Sequence, residues 1–461
     1  MCFSLCTSIS FLDIHVSIHS LDLDEMGNKA RKTSQKITNT EEQVPHSSID
    51  VNKLVVDSIK GYLSLVDPLQ HEYCIYRIPQ RLRRTKENAY TPQVVSIGPL
   101  HHKDKNLLRL QNLKLSFLRN FLDKFNMDLN NCVKEITTWD ARVRGCYAEK
   151  IEVSIKELAE IVQVDGVFII EVLLRFGADD ADRNNCTTSD NNNSDPRHFK
   201  AWALSSLRPD MVLLENQLPF FVLEGLFNMA FPANERILMT SLLDLSLKYF
   251  HDLMLTTPPA SKKDLSQSEI QHFVDLLRIC HLPSSLRRPT ATSPTAQRVS
   301  IRNATQLQAA GMKVIKKSGK TRLLDIDYEA GKLQIPHMKI RDETEIVLRN
   351  LIALEIFRYR HDSYIIDYVY FMDDFIENTK DVDLLIQNGI IENWLGDNYS
   401  VALMFNTLTK ENKFCKVARH RWEATLKSEY CSTPWRIAST SAAIILLLLT
   451  FSQTIFSAIS L

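Results

Sequence analysis

Four groups of residues in this chain have the types and spacing from which chemistry is built. His101-His102 follow Gly98-Pro99, and imidazoles serve as metal ligands or proton-transfer groups near neutral pH. Adjacent side chains on a helix or strand point in different directions, so the two cannot easily share one ion. No C-x-x-C and no further histidine at i+4 accompanies them, which makes them structural or loop-forming histidines on this reading. Glu215-Asn216-Gln217 lies inside the apolar block MVLLENQLPFF. Buried polar groups must be hydrogen-bonded, so the trio is expected to tie helix ends to neighbouring loops, with Pro219 breaking the helix and freeing backbone groups for it. Asp373-Asp374 has no further acidic residues at a regular spacing and reads as a solvated face rather than a cation site.

The fourth group is positive. Arg77, Arg81, Arg83, Arg84 and Lys86 form the densest basic run of the globular part and are the candidate interaction site, facing lipid phosphates or an acidic partner. The competing expectation is internal pairing with carboxylates such as Glu171 or Glu215, which the planar fork of arginine suits. No G-x-S-x-G, G-x-x-x-x-G-K-S/T, H-E-x-x-H or dinucleotide fingerprint occurs. Hence no catalytic, cofactor-binding or metal-ligating residue is assigned, and no cofactor is expected.

The elements that would position these groups are mostly helical. The chain has 461 residues, 44% hydrophobic and 24% charged, ordinary values for a packed globular protein. Lys plus Arg equals Asp plus Glu at 55 each, giving a formal net charge of zero, so no global field steers it to nucleic acid or acidic substrates. Only 12 glycines are present, which favours helices over folds rich in tight turns. Leu54, Val55, Ile59 and Leu63 recur at helical spacing after Ser47-Ser48, whereas Tyr90 to Pro99 is proline-bounded, β-branched and expected to be extended. Leu107 to Phe125 returns to helical spacing. Glu149 to Phe176 reads as a buried helix ended by Gly177, with Glu171 and Arg175 as an i, i+4 pair on its surface. A polar loop, Asp179 to Pro196, precedes further helices from His198 to Met229. Leu323 to Ile340 alternates as a β-hairpin around Glu329-Ala330-Gly331, and Glu343 to Leu426 is helical again. The expected fold class is mainly α: a single large helical domain with a minor β-hairpin over residues 49–430, after a disordered lead-in, residues 1–48.

Residues 431–461 are the expected membrane anchor. Ile437 to Leu461 carries no charge over 25 residues and centres on Ile444, Ile445, Leu446, Leu447, Leu448 and Leu449. As a helix it would span about 37 Å at ~1.5 Å per residue, against a hydrocarbon core of about 30 Å. Trp435 and Arg436 stand before it as an interfacial aromatic and a positive stop, and Lys413, Lys416, Arg419, Arg421 and Lys427 precede them. That excess of base predicts a single-pass protein whose head stays cytosolic. Ile161 to Phe176 and Met211 to Phe231 are also apolar but are interrupted by Asp165 and Glu171, and by Glu215, Asn216, Gln217 and Pro219. They are expected in the core of the head. The first 20 residues lack a basic n-region and are broken by Asp13, unlike a signal peptide. Nine scattered cysteines without a C-x-x-C pair fit reduced, mostly buried thiols. Asn185, Asn192, Asn303 and Asn398 each begin an N-x-S/T triplet, informative only if the head is lumenal.

The segment CIYRIPQRLRRTKENAYTPQVVSIGPLHH, Cys74 to His102, closely resembles the opening signature of the plant family termed domain of unknown function 247. DGVFIIEVLLRF (Asp165 to Phe176), DMVLLENQLPFFVLEGLF (Asp210 to Phe227), ATQLQAAGMKV (Ala304 to Val314), LRNLIALE (Leu348 to Glu355) and GIIENWLGD (Gly389 to Asp397) continue the likeness in order. TPWRIAS and the terminal segment close it. RLQNLKL (Arg109 to Leu115) departs from the usual acidic or Met-containing version, and Leu100 fills a slot often aromatic. The resemblance implies a plant-specific, mainly helical head ending in a membrane helix, with no established activity or cofactor. Some grass members are associated with self-incompatibility, which implies recognition rather than catalysis, and that biological role is not carried over to this chain. The expected function is a membrane-anchored, non-enzymatic interaction protein with a protein partner and no nucleic acid. The alternatives are a membrane-bound enzyme with a dispersed site around His101 and Glu215, and an extracellular recognition head.

Overall fold

The structure is a computed structural model, and it describes residues 55–60, 73–184, 205–232, 241–256, 269–284, 302–319, 321–360 and 362–410, with the side chains of 178–184 excepted. The chain divides into a unit of Met1–Gln70 and a unit of His71–Leu461. In the first, residues 55–60 are helical and exposed. The expected loop Asp179 to Pro196 is helical over 179–184, and its remainder, the lead-in 1–48 and the expected anchor with Trp435, Arg436, Ile444, Ile445, Leu446, Leu447, Leu448 and Leu449 lie outside the described residues. Among the described residues no helix is long and apolar enough to cross a membrane.

The second unit is mainly helical. In chain order it carries α1 (Gln80–Arg83), α2 (Gln111–Lys124), α3 (Leu129–Thr138), α4 (Asp140–Arg144), α5 (Ile155–Asn184), α6 (Arg208–Met211), α7 (Phe220–Ala230), α8 (Leu242–Tyr249), α9 (Phe273–His281) and α10 (Ala304–Ala309). Strands β1 (Lys313–Lys316), β2 (Asp327–Glu329), β3 (Lys332–Ile335) and β4 (Met338–Ile340) follow, then α11 (Thr344–Phe357), α12 (Tyr364–Phe375), α13 (Thr379–Gln387), β5 (Ile391–Asn393) and α14 (Asn398–Lys410).

α5 is the axis of the first half. Val167 to Ile170, Val172 and Leu173 are each at most 1% exposed, because α2, α3, α7 and α8 pack around the middle of the helix and, among the described side chains, leave only its first turns to solvent. It begins at Ile155, six residues later than the pattern implied. The Ser154 hydroxyl accepts from the Glu157 amide (3.1 Å), a cap that fixes the start, while Arg144 binds the carbonyls of Ile151 and Val153 (2.7 and 2.9 Å) and holds the approach as loop. Gly177 does not end the helix, which runs on to Asn184. Its missing side chain serves packing instead: an added Cβ would stand 3.1 Å from Leu245 Cδ2 on α8. Glu171 and Arg175 do pair (2.9 Å), but Glu171 is 3% exposed and the pair is inside, with Arg175 stacked on Phe117 (3.8 Å to the ring centroid).

In the second half, α11, α12 and α14 pack together, α9 lies on α11, and α13 bridges α14 and α10. Asn378 and Asp381 form a reciprocal capping box at the start of α13, satisfying amides the helix leaves free. The expected hairpin exists in a narrower form: β2 pairs antiparallel with β3 through a turn in which Ala330 and Gly331 both have positive φ (49° and 76°), the handedness that two-residue hairpins require. β1 adds to β3 in parallel, with Val314 beside Leu333. β4 pairs in parallel with the distant β5, a non-local pairing that local alternation could not reveal.

Candidate functional site

Residues 95–98 run through the core without a sheet partner, after the exposed Gln93 and Val94. Val95 and Ile97 are at most 1% exposed and Ser96 is 5% exposed, so their amides and carbonyls need partners that strands would otherwise supply. Side chains from three other segments provide them. The Asp210 carboxylate accepts from the amides of Gln93, Val94 and Val95 (3.0, 2.6 and 2.8 Å). Asn216 accepts from Ile97 (2.6 Å) and donates to the Val95 carbonyl (2.9 Å). Asp165 on α5 accepts from the Gly98 amide (2.9 Å) and from Lys114 of α2 (2.6 Å), and Lys114 also donates to the Ser96 carbonyl. Gly98 has φ +72°, and a Cβ there would meet the Gln217 carbonyl oxygen at 2.6 Å.

Glu215 is the charged centre of this arrangement. Its carboxylate, 1% exposed, accepts from the Ile78 amide and from Arg83. It also faces His101 Nε2 (2.9 Å) and Arg77 Nη1 (3.8 Å). Burial alone would raise its pKa, but His101, Arg83 and the Ile78 amide outweigh it and hold the carboxyl below its ordinary value. Arg83 in turn donates to the Ile78 carbonyl (3.0 Å) and Thr91 (2.7 Å). Gln217 donates to the carbonyls of Met211 and Leu213 (2.7 and 2.9 Å) and accepts from the Phe273 amide (3.1 Å). Asn216 and Gln217 pack against Ile97, Ile169, Met211, Leu218 and Phe273 without room for a water molecule between them.

A second buried carboxylate, Glu355 on α11, accepts from Arg278 of α9 (2.9 Å) and the Ile366 amide (3.0 Å). Burial pushes it up to about 7, with Arg278 pulling the other way. Arg278 stacks on Tyr359 (3.8 Å to the centroid), whose hydroxyl donates to Asp275 (2.8 Å). Burial raises the Tyr359 phenol well above its usual range.

The structure thus divides the basic run. Arg83 is buried on Glu215, Arg77 bridges Glu149 and Glu215, and Lys86 pairs with Glu345, while Arg81 and Arg84 are exposed. Of the two carboxylates expected to receive arginines from this run, Glu215 does and Glu171 does not, being held by Arg175. His101 and His102 separate as expected: His102 reaches the Pro99 carbonyl and Glu157 (3.1 Å). Asp373-Asp374 is not a fully solvated face. Both are half-buried on α12, and Asp373 accepts from Thr409 (2.7 Å). Among the described residues no cluster of three or more His, Cys, Asp or Glu could hold a metal ion.

Comparison with known proteins places this arrangement. Residues 75–449 match the family described as plant protein of unknown function, domain of unknown function 247. The chain belongs to this family. It is 27% identical over 449 residues to the Arabidopsis thaliana UPF0481 protein At3g47200, covering 89% of this chain and 91% of that protein. It is also 22% identical over 484 residues to the putative UPF0481 protein At3g02645 of Arabidopsis thaliana, covering 82% and 89%. No solved structure matches significantly.

The blocks that carry the family likeness are largely those that build the network. SIGPLHH supplies Gly98 and His101, DGVF supplies Asp165, DMVLLENQ supplies Asp210 and Glu215 to Gln217, and LRNLIALE supplies Asn350 and Glu355. Asn350 accepts from the Leu214 amide (2.9 Å) and donates to the Ala89 carbonyl (2.8 Å), tying α11 to both sides of the Glu215 region. Sequence reasoning found Glu215 to Gln217 from their polarity in an apolar block. It used Asp165 only as an interruption, and it missed Asp210, Lys114 and Asn350. The one available signal for Asp165 was a charge within the mostly apolar stretch Ile161 to Phe176.

Proposed function

We propose that this chain is a tail-anchored interaction protein, held to a membrane by Ile437 to Leu461, with a cytosolic head that binds another protein and acts neither as an enzyme nor on nucleic acid. The observation that carries the reading is a division of labour in the head. Its polar groups that could do chemistry, His101 and Glu215 above all, face one another and the backbone they hold. Large apolar side chains meanwhile face outward near the end of the head. Trp394 is 60% exposed, Tyr399 65% and Leu403 42%. Tyr399 and Leu403 lie one turn apart on α14, and Trp394 is set by a hydrogen bond to Glu392 (2.8 Å) and by Arg341 over its ring. Exposed aromatics of this kind are the side chains that protein interfaces favour. The anchor itself rests on the 25 uncharged residues and the bases before them.

Topology is the first test. The full chain, tagged before Val51, is expressed in plant cells, and sealed microsomes are treated with protease. The expected result is loss of the tag with no glycan shift, and release of the head into the soluble fraction when Ile437 to Leu461 is deleted. Protection of the tag together with glycosylation would overturn the cytosolic reading and favour the extracellular one. The glycan is best sought at Asn185 or Asn192, because Asn303 is 5% exposed and its side-chain nitrogen donates to Glu377 (2.6 Å), and that of Asn398 donates to Asp383 (2.5 Å). Retention of the truncated head in the membrane pellet would overturn the single-anchor reading.

A further inference from the structure

Cys74 and Cys146 lie 72 positions apart in the chain and side by side in the fold. Ile75 and Tyr147 form a parallel bridge, in which the Ile75 amide donates to the Cys146 carbonyl (2.9 Å) and the Ala148 amide to the Ile75 carbonyl (2.9 Å). The residues one step back, Cys74 and Cys146, are therefore next to each other, and the Cys74 amide also donates to the Cys146 carbonyl (2.9 Å). Paired positions of neighbouring strands put their side chains on the same face at a backbone separation of about 4.8 Å. A disulfide needs Cα atoms roughly 4.4–6.8 Å apart. The backbone of Cys74 is fixed on its other side by His272 Nε2, 2.9 Å from the Cys74 carbonyl, and Arg358 donates to the carbonyl of Tyr73 (2.8 Å). Both cysteines are free thiols, Cys74 buried and Cys146 half-buried.

We propose that these two residues are a redox modification site, in which a peroxide oxidises Cys146 and Cys74 resolves it to an intramolecular disulfide. The Cys146 thiolate attacks one peroxide oxygen. The O–O bond breaks, hydroxide leaves, and Cys146 becomes a sulfenic acid. The Cys74 sulfur then attacks the Cys146 sulfur, the S–O bond breaks, and the departing hydroxyl takes the Cys74 proton as water. Two thiols together lose two electrons and two protons, and the peroxide is reduced to two waters.

The surroundings sort the two roles. A hydrogen bond from Cys74 holds the Cys146 thiol below its ordinary pKa against the effect of burial, and the guanidinium groups of Arg142 and Arg358 act in the same lowering direction. The hydrogen bond to Cys146 and burial raise Cys74, with Asp275 adding to this and Arg358 opposing it. A partly exposed, thiolate-forming cysteine beside a protonated, buried partner is the arrangement of a peroxide-sensitive thiol and its resolving thiol. Cys132, by contrast, is buried and raised by that burial. The disulfide would staple the first segment of the family domain to the loop before α5, across the bridge that leads into the Glu215 network.

The test uses the full chain exposed to hydrogen peroxide, quenched, denatured and alkylated with N-ethylmaleimide before peptide mapping. The expected product is one cross-linked peptide containing Cys74 and Cys146, two hydrogens lighter than its separate parts and split by a reductant. Cys146→Ser should leave Cys74 fully alkylated. Cys74→Ala should leave Cys146 as a sulfenic acid that dimedone traps. If either variant fails to fold by circular dichroism, the map of the unaltered protein decides alone. Both cysteines alkylated after peroxide, dimedone on Cys146 of the unaltered chain with Cys74 still alkylated, or a link from either to another cysteine would overturn the proposal.

Discussion

Glu215 and Glu355 are the same side chain at nearly the same depth, 1% and 0% exposed, yet their pKa values move in opposite directions. Burial penalises the charged form of both, and more heavily that of Glu355, which is the more deeply enclosed. Glu355 meets one guanidinium and the amides of Ile366 and Ile365, and burial carries it up to about 7. Glu215 meets Arg83, His101 and the Ile78 amide, with Arg77 further out, and is held below its ordinary value. The balance between burial and the character of the donors, side chains of Arg83 and His101 against a single guanidinium, decides whether a buried carboxyl is a charge or an acid. The two sites accordingly do different work. Glu215 is a permanent anion around which an irregular stretch of backbone is organised, whereas Glu355 joins three elements and can lose its charge.

The largest expected effect comes from removing the anion. Glu215→Ala leaves the Arg83 guanidinium, the Ile78 amide and His101 without their shared acceptor inside the core, and breaking a buried pair in this way costs about 3–5 kcal/mol. Chemical denaturation should show a midpoint shifted by that amount, or a chain that no longer folds. The segment 73–100 should also become more open to hydrogen exchange than α12 in any variant that folds. A loss below about 1 kcal/mol, with no change in exchange at 93–98, would mean that Asp210, Asn216 and Asp165 suffice and that Glu215 is not the centre.

Glu355 should respond to pH in the opposite sense. Its folded pKa of about 7 lies above the ordinary 4.5, so the folded state holds more protons than the unfolded one between these values, and stability falls as pH rises through that window. About 2.5 pKa units correspond to roughly 3 kcal/mol at most from this group. Glu355→Gln mimics the neutral acid and cannot titrate. Its penalty relative to the unaltered chain should be greatest near pH 4.5 and shrink, or change sign, above pH 7. Glu215, lowered instead, contributes stability above pH 4.5 that is lost only as pH falls through its folded value. A Glu355→Gln penalty that stays constant or grows with pH would show that Arg278 keeps Glu355 charged, and the contrast between the two sites would collapse.

How much of this was legible in the sequence depended on whether the signal was local. The helical class, the hairpin turn at Ala330-Gly331 and the break at Pro219 rest on spacing and turn chemistry within a few residues, and each is present. Glu215 to Gln217 stood out because polar residues in an apolar block need partners. An arginine from the 77–86 run was expected on Glu215 and is there, but the backbone partners could not be named, since Ile78 and Ile97 are 137 and 119 positions away. Gly177 misled because glycine both ends helices and admits close neighbours, and only the position of Leu245 distinguishes the two uses. The parallel pairings of β1 with β3 and β4 with β5, and the Cys74–Cys146 neighbourhood, are products of chain path and leave no local mark.

The basic run gives the smallest expected effect and the finest test of that distinction. Arg83 and Arg84 are adjacent and identical in type, so no sequence pattern separates them. α1 turns Arg83 inward, where it binds Glu215, Thr91 and the Ile78 carbonyl, and leaves Arg84 at its exposed end. Arg84→Ala should therefore change stability by no more than about 0.5 kcal/mol, measured against Arg83→Ala, which strips Glu215 of its closest cation. If the two variants lose similar stability, the helix presents both arginines to the core. If Arg84→Ala alone weakens binding of the full chain to anionic vesicles without changing its melting temperature, the exposed end of the run acts at a surface, and only its inner member belongs to the Glu215 network.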